Sequence, residues 1–155
     1  MYEFLRQYVN GPKQEPNSFV PLESDEVPQA EARLGFTLPK QLKEFYREVG
    51  CGFLLAPEGA DTTDNRWVRD NINRVVDPSE LADLYLGKCV WGPREGFLPG
   101  LLPFFEVGDG TFLVLKIDAD SDPGVYWPDG RNRVAPDLAR FFHALYKDPS
   151  FYLEL

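Results

Sequence analysis

At 155 residues with 43% hydrophobic and 14% aromatic side chains, the chain is long enough to bury one core without staples and too apolar to stay disordered. A formal net charge of −9 and a pI of about 4.6 argue against nucleic acid and anionic membrane as partners, because both are held largely through Lys and Arg at phosphates. No apolar run approaches the roughly 18–20 residues of a membrane span, and the start M-Y-E-F-L-R-Q-Y-V-N-G lacks the layout of an export signal.

Residues 1–10 favour a short helix with Phe4, Leu5 and Tyr8 inward, stopped at Asn10-Gly11-Pro12. The stretch 11–23, with Pro12, Pro16 and Pro21, reads as an irregular connection. Two back-to-back helices follow over 24–49. Ser24 is placed to cap the first, Asp25 and Glu26 suit the positive end of its dipole, and Gly35 ends it after Val27, Ala30, Glu31 and Leu34 have repeated at helical spacing. Pro39 fits the first turn of the second. Its Leu42, Phe45, Tyr46 and Val49 form an i, i+3, i+4, i+7 stripe that stops at Gly50 and Gly52. F-L-L-A at 53–56 is a buried-strand candidate, 57–65 an exposed loop, and 66–76 fits either extended chain or a loose helical turn. Asp77-Pro78-Ser79-Glu80 opens a third helix as a capping box, with Leu81, Leu84 and Tyr85 inward until Gly87.

From Cys89 onward the punctuation becomes that of a sheet. L-L-P-F-F-E-V runs into Gly108-Asp109-Gly110, a hairpin signal. T-F-L-V-L-K-I-D then alternates, Leu113, Leu115 and Ile117 on one face and Phe112, Val114 and Lys116 on the other. Turns at A-D-S-D-P-G and Asp129-Gly130 bracket V-Y-W-P, and links this short make neighbouring strands antiparallel. A closing helix starts near Ala135-Pro136-Asp137, runs to Tyr146 or Lys147 and buries Leu138, Phe141, Phe142 and Leu145. The whole of 1–155 therefore reads as a single α+β domain: an N-terminal helix pair packed on an antiparallel sheet of hairpins, with a closing C-terminal helix.

Residues suited to catalysis are scarce. His143 is the one histidine and points away from its helix's apolar stripe, which suits a solvated side chain better than a general base. Ser79 and Ser121 have no base at triad spacing, and Gly108 and Gly110 are turn residues with no phosphate-binding context. Cys51 and Cys89 lack a neighbouring Cys or His at ligand spacing; with no export signal, the cytoplasm is the expected compartment and both thiols are expected reduced. The sharpest local pattern is D-A-D-S-D-P-G-V-Y-W-P-D. Counted from Asp118, acids fall at positions 1, 3, 5 and 12 of an EF-hand-like loop. Pro123 stands where that loop needs Gly, Asp129 is shorter than the usual Glu, and strands flank it, so a hairpin turn with solvated carboxylates is the better reading. No cofactor is called for.

The order of the pieces resembles the SUKH superfamily, named for fungal Smi/Knr-type cell-wall regulators and their bacterial relatives. V-P-Q-A-E-A-R-L-G-F-T-L-P-K-Q-L-K-E-F-Y-R-E-V-G is similar to that family's helix pair, L-P-F-F-E-V-G-D-G-T-F-L-V-L-K-I-D and G-V-Y-W-P-D-G to its hairpins, and V-A-P-D-L-A-R-F-F-H-A-L to its closing helix. Together they span roughly 24–147. Two stretches depart from the pattern: Val49-Gly50-Cys51-Gly52 replaces the frequent Asn-Gly-Gly, and Pro136-Asp137-Leu138 replaces Ser-Phe. The resemblance implies a non-enzymatic binding domain of the bacterial immunity type, which neutralises a toxin by stoichiometric binding, the toxin often a nuclease with a basic cleft. An interaction or regulatory module of the same fold without a toxin, and a carboxylate-loop metal binder, are the other readings. Between Glu106 and Asp129 only Lys116 offsets the acids, and tryptophans are common interface anchors. The expected partner surface is therefore Glu106, Asp109, Asp118, Asp120, Asp122 and Asp129, with Trp67 and Trp127.

Overall fold

Among the residues described by the computed structural model, 1–11, 16–61, 71–90, 92, 96–108 and 110–154, seven strands lie side by side in chain order, each antiparallel to the next. They are β1 (Ser18–Val20), β2 (Cys51–Phe53), β3 (Arg74–Val75), β4 (Leu101–Gly108), β5 (Thr111–Lys116), β6 (Val125–Tyr126) and β7 (Arg133–Ala135). Four α-helices accompany them, α1 (Glu26–Leu34), α2 (Lys40–Glu48), α3 (Pro78–Tyr85) and α4 (Leu138–Lys147), with 3-10 turns at Glu3–Tyr8 and Phe151–Glu154. The α+β architecture, the N-terminal helix pair, the antiparallel meander and the closing helix are those expected. Asp109 lies outside the described residues.

The helix starts differ from expectation in instructive ways. Asp25, not Ser24, occupies the cap position of α1, and its side chain makes no capping bond. The Glu26 carboxylate instead accepts from Glu23 N–H at 2.6 Å, satisfying the entry to the helix from inside it. Pro39 is itself the cap residue of α2, extended at φ −54°, ψ 143°, and its carbonyl receives Leu42 and Lys43 N–H. Asp77 caps α3 as read, accepting from Glu80 N–H at 2.8 Å with Pro78 at the first position. The Glu80 side chain does not close the capping box; it is held by Arg74. Glu31 accepts from Leu38 N–H at 2.6 Å across the α1–α2 link, while Gly35 takes the left-handed conformation that ends α1. Gln41 on α2 accepts from Leu138 N–H at 2.9 Å, tying the helix pair to the start of α4.

The connection 11–23 is not wholly irregular, because it carries β1. That strand approaches β2 so closely that a Cβ on Gly52 would lie 2.0 Å from the Ser18 carbonyl oxygen. Gly52 also sits at φ +151°, in the region that favours glycine. The strand expected at 53–56 starts two residues earlier, at Cys51, so Leu54 and Ala56 are buried outside it. Proline is tolerated in central β4 because Pro103 stands beside a register shift that accommodates Phe104.

Pairing registers sort the side chains onto two faces. One row, Phe19, Gly52, Val75, Phe105 and Leu113, crosses the sheet on the inner side. There α2 and α4 meet it: Phe45 stacks on Phe142 at 4.1 Å and 7°, and Phe141 packs edge-on against Phe105 at 5.1 Å. The next row, Ser18, Phe53, Arg74, Glu106 and Phe112, faces the other way. Towards β5 and β6 this outer face is covered, with Phe97 edge-on to Phe112 at 5.7 Å and packed with Leu101, Val114 and Tyr126. Two buried asparagines join distant loops. Asn17 Oδ1 accepts from Leu55 and Ala56 N–H at 2.8 and 2.9 Å, and Asn73 Nδ2 donates to Leu54 and Pro149 carbonyls at 3.2 and 2.8 Å.

Candidate partner-binding surface

Acids that are close in sequence are spread out in space by the sheet. Glu106, on β4, is only 6% exposed. It accepts from Arg74 Nε at 2.9 Å, and the same guanidinium reaches both oxygens of Glu80 at 2.6 and 2.8 Å. Those hydrogen bonds, Glu80's first, hold Arg74 protonated beyond its ordinary range against the opposing effect of burial. Glu106 thus belongs to a half-buried ion cluster joining β3, β4 and α3, and it is not presented to solvent as part of an acidic face.

Asp118, Asp120 and Asp122 lie at the other end of the β4–β5 hairpin, about 15 Å along the strand from Glu106 at the usual rise per residue. The Asp118 carbonyl accepts from Ser121 and Asp122 N–H at 2.9 and 3.0 Å and from the Ser121 hydroxyl at 2.9 Å, closing the turn. The side chains of Asp118 and Asp120 stay exposed. Asp122 is already engaged, accepting from Lys116 Nζ at 2.7 Å and Tyr126 OH at 2.8 Å, and Lys116 and then Tyr126 hold its carboxyl below the ordinary value. Lys116 also sits 4.4 Å above the Tyr126 ring. Asp129 spends its carboxylate on its own turn, accepting from Arg131 and Asn132 N–H at 2.9 and 3.0 Å, and these bonds depress its pKa. Among the described residues no three His, Cys, Asp or Glu side chains come together to hold a metal ion.

Trp127 is half-buried and packs against Tyr152 at 6.0 Å, so it serves the core beneath the C-terminal turn. Trp67 lies outside the described residues, as does Asp109. His143 is exposed on α4 and stacks on Phe4 at 4.1 Å. Of the residues expected to form one surface, the structure brings together Asp118, Asp120 and Asp122 in a single turn and separates Glu106 from them.

A surface not expected from the sequence lies on the open half of the outer face. Val20 on β1 is 59% exposed and Phe53 on β2 is 38% exposed. They are diagonal neighbours across the pair, since Val20 stands opposite Cys51 and Ser18 opposite Phe53. Beside them a shallow pocket of about 190 Å³ is lined by Ser18, Val20, Cys51, Phe53, Arg74 and Asp77 among others. Burial first, then Asp77 and Glu26, push the Cys51 thiol up to about 11, with Arg74 opposing. A separate groove between α1 and α2, about 310 Å³, is lined by Pro21, Leu22, Glu23, Lys43 and Arg47 among others. The signal was present as the short alternations S-F-V and C-G-F. A buried strand over 53–56 would place Phe53 inside, whereas as the last residue of β2 it is 38% exposed.

Comparison with known proteins gives a consistent answer. The model of the SMI1 / KNR4 family (SUKH-1) matches residues 21–144. Among curated proteins, this chain is similar to "Immunity protein YxxD" of Bacillus subtilis (strain 168), 26% identical over 145 residues that cover 90% of each chain. No solved structure matches it.

Proposed function

This chain belongs to the SMI1 / KNR4 (SUKH-1) family, and we propose that it is an immunity protein that neutralises a cognate toxin by stoichiometric binding, without catalysis. The observation that carries this reading is the end-to-end similarity to a protein named for immunity, over 90% of both chains. The chemistry of the chain agrees. Asp and Glu outnumber Lys and Arg by 25 to 16, and the lone histidine stacks on Phe4 with no acid–base partner among the described residues. A net charge of −9 suits a basic toxin domain, such as a nuclease with a phosphate-binding cleft, whose positive field an acidic inhibitor would meet with fast association. It acts in the cytoplasm, where such a toxin finds its substrate. Among the described residues no helix is long and apolar enough to cross a membrane.

The test is co-expression with the toxin candidate encoded beside its gene. Growth should be rescued, and the two purified proteins should form a complex of fixed stoichiometry in titration calorimetry. If growth is not rescued and no complex forms, the chain is an interaction module of the same fold with another partner.

A further inference from the structure

The open half of the outer sheet face combines three properties. It carries large apolar side chains on a well-paired strand edge, Val20 and Phe53. It has relief, in the pocket beside Arg74. It is framed by acids: Glu23 and Glu26 at the entry to α1, and Asp77 and Glu80 at the entry to α3. Among the described residues the one cation lining the pocket, Arg74, is paired with two carboxylates, Glu80 and Glu106, so the pocket floor remains negative on balance, while Lys43 and Arg47 line the separate groove beside α2. Among the described residues, Phe97 covers the far half of this face, and α2 and α4 meet at the inner one.

We infer that this face, centred on Val20 and Phe53, is where the partner protein docks, and that the partner contributes an apolar side chain flanked by lysine or arginine. The inference rests on the protein-binding reading above and gives it a location. Buried apolar anchors supply the affinity of an interface while charges at its rim govern encounter and choice of partner. The acidic frame decides between occupants. A second copy of this chain would set acids against acids around the same anchors, whereas a basic segment neutralises them. The exposed acids Asp118 and Asp120 lie on the turn after β5, about 19 Å from β1 across four strand spacings, and so fall outside the core of such a contact.

The experiment uses the full chain and a catalytically inactivated form of the toxin candidate encoded beside its gene. Val20→Lys with Phe53→Lys should weaken the complex by at least about tenfold and leave the circular dichroism spectrum and urea midpoint near wild type, since both positions face solvent. Glu23→Lys, an exposed change at the rim, should slow association and leave dissociation nearly unchanged. Asp118→Asn with Asp120→Asn should bind as wild type does. A Val20/Phe53 variant that binds unchanged, or an Asp118/Asp120 variant that carries the loss, overturns the location while toxin binding stands. A wild-type chain that does not bind the toxin overturns the underlying reading instead. Sedimentation showing a wild-type dimer that Val20→Lys dissociates would assign the face to self-association and also overturn the proposal.

Discussion

A carboxylate's surroundings, not its place in an acidic run, decide what it does. Asp118 and Asp120 are free to act at long range, whereas Asp122, two positions on, is held by Lys116 at 2.7 Å and by Tyr126 at 2.8 Å. Those two bonds stabilise the ionised form, so the folded-state pKa lies below the ordinary value. A depressed carboxyl pKa contributes stability that is fully present above the unfolded value, about 3.9, and is lost as pH falls through the lower folded value. The Asp122 side chain is 37% exposed, so solvent screening keeps the contribution in the range of surface pairs, below about 1 kcal/mol. Asp122→Asn should therefore be slightly less stable than wild type in urea at pH 7, with the gap unchanged down to pH 5. The gap should then close as the pH drops below about 4. A gap that grew with acid would mean that the Lys116–Asp122–Tyr126 contact does not stabilise the ionised form.

Elements differ in how far they could be read from local sequence. The helices were legible because their stops and stripes lie within a few residues of one another: Asp77-Pro78 starts α3, Gly35 ends α1, and Leu42, Phe45 and Tyr46 face the core. The β4–β5 hairpin was legible for the same reason. The three-residue strands β1 and β2 were not, because what holds them is remote. Asn17 receives Leu55 N–H from 38 residues away, and β1 closes on β2 only because Gly50 and Gly52 lack side chains. The two glycines that first read as the end of a helix are thus the seat of an edge strand. Gly52→Ala tests this account. The new methyl would start 2.0 Å from the Ser18 oxygen at a φ that disfavours any side chain, so β1 must move away or the backbone must change. The expected cost exceeds about 1 kcal/mol, seen as a lower urea midpoint, with faster hydrogen exchange at Phe19 and Val20 than in α4. Gly59→Ala is the control for loss of a positive-φ glycine alone, since no atom lies within 4 Å of its added methyl. If the two variants lose the same stability, close packing at β1 is not what Gly52 provides.

For the molecule as a whole, charge was legible and its distribution was not. The acids between Glu106 and Asp129 read as one cluster along the chain, yet the meander carries them to opposite ends of a hairpin and buries Glu106 against Arg74. The apolar face at Val20 and Phe53 stayed hidden because it depends on which residues form β2, a fact that only pairing partners supply. What survives any rearrangement of the surface is the total of −9. A charge of that size acts over a Debye length, about 10 Å at 0.1 M salt and about 3 Å at 1 M. Approaching partners feel it, whereas groups already in contact do so much less. For a basic toxin the association rate should accordingly fall by about tenfold or more between low and high salt, while the dissociation rate changes little. Stopped-flow kinetics across a salt series separates the two. A salt dependence carried mainly by dissociation would move the important charges from the long-range field into the contact itself, and charges within the interface, not the total charge, would then govern how long the complex lasts.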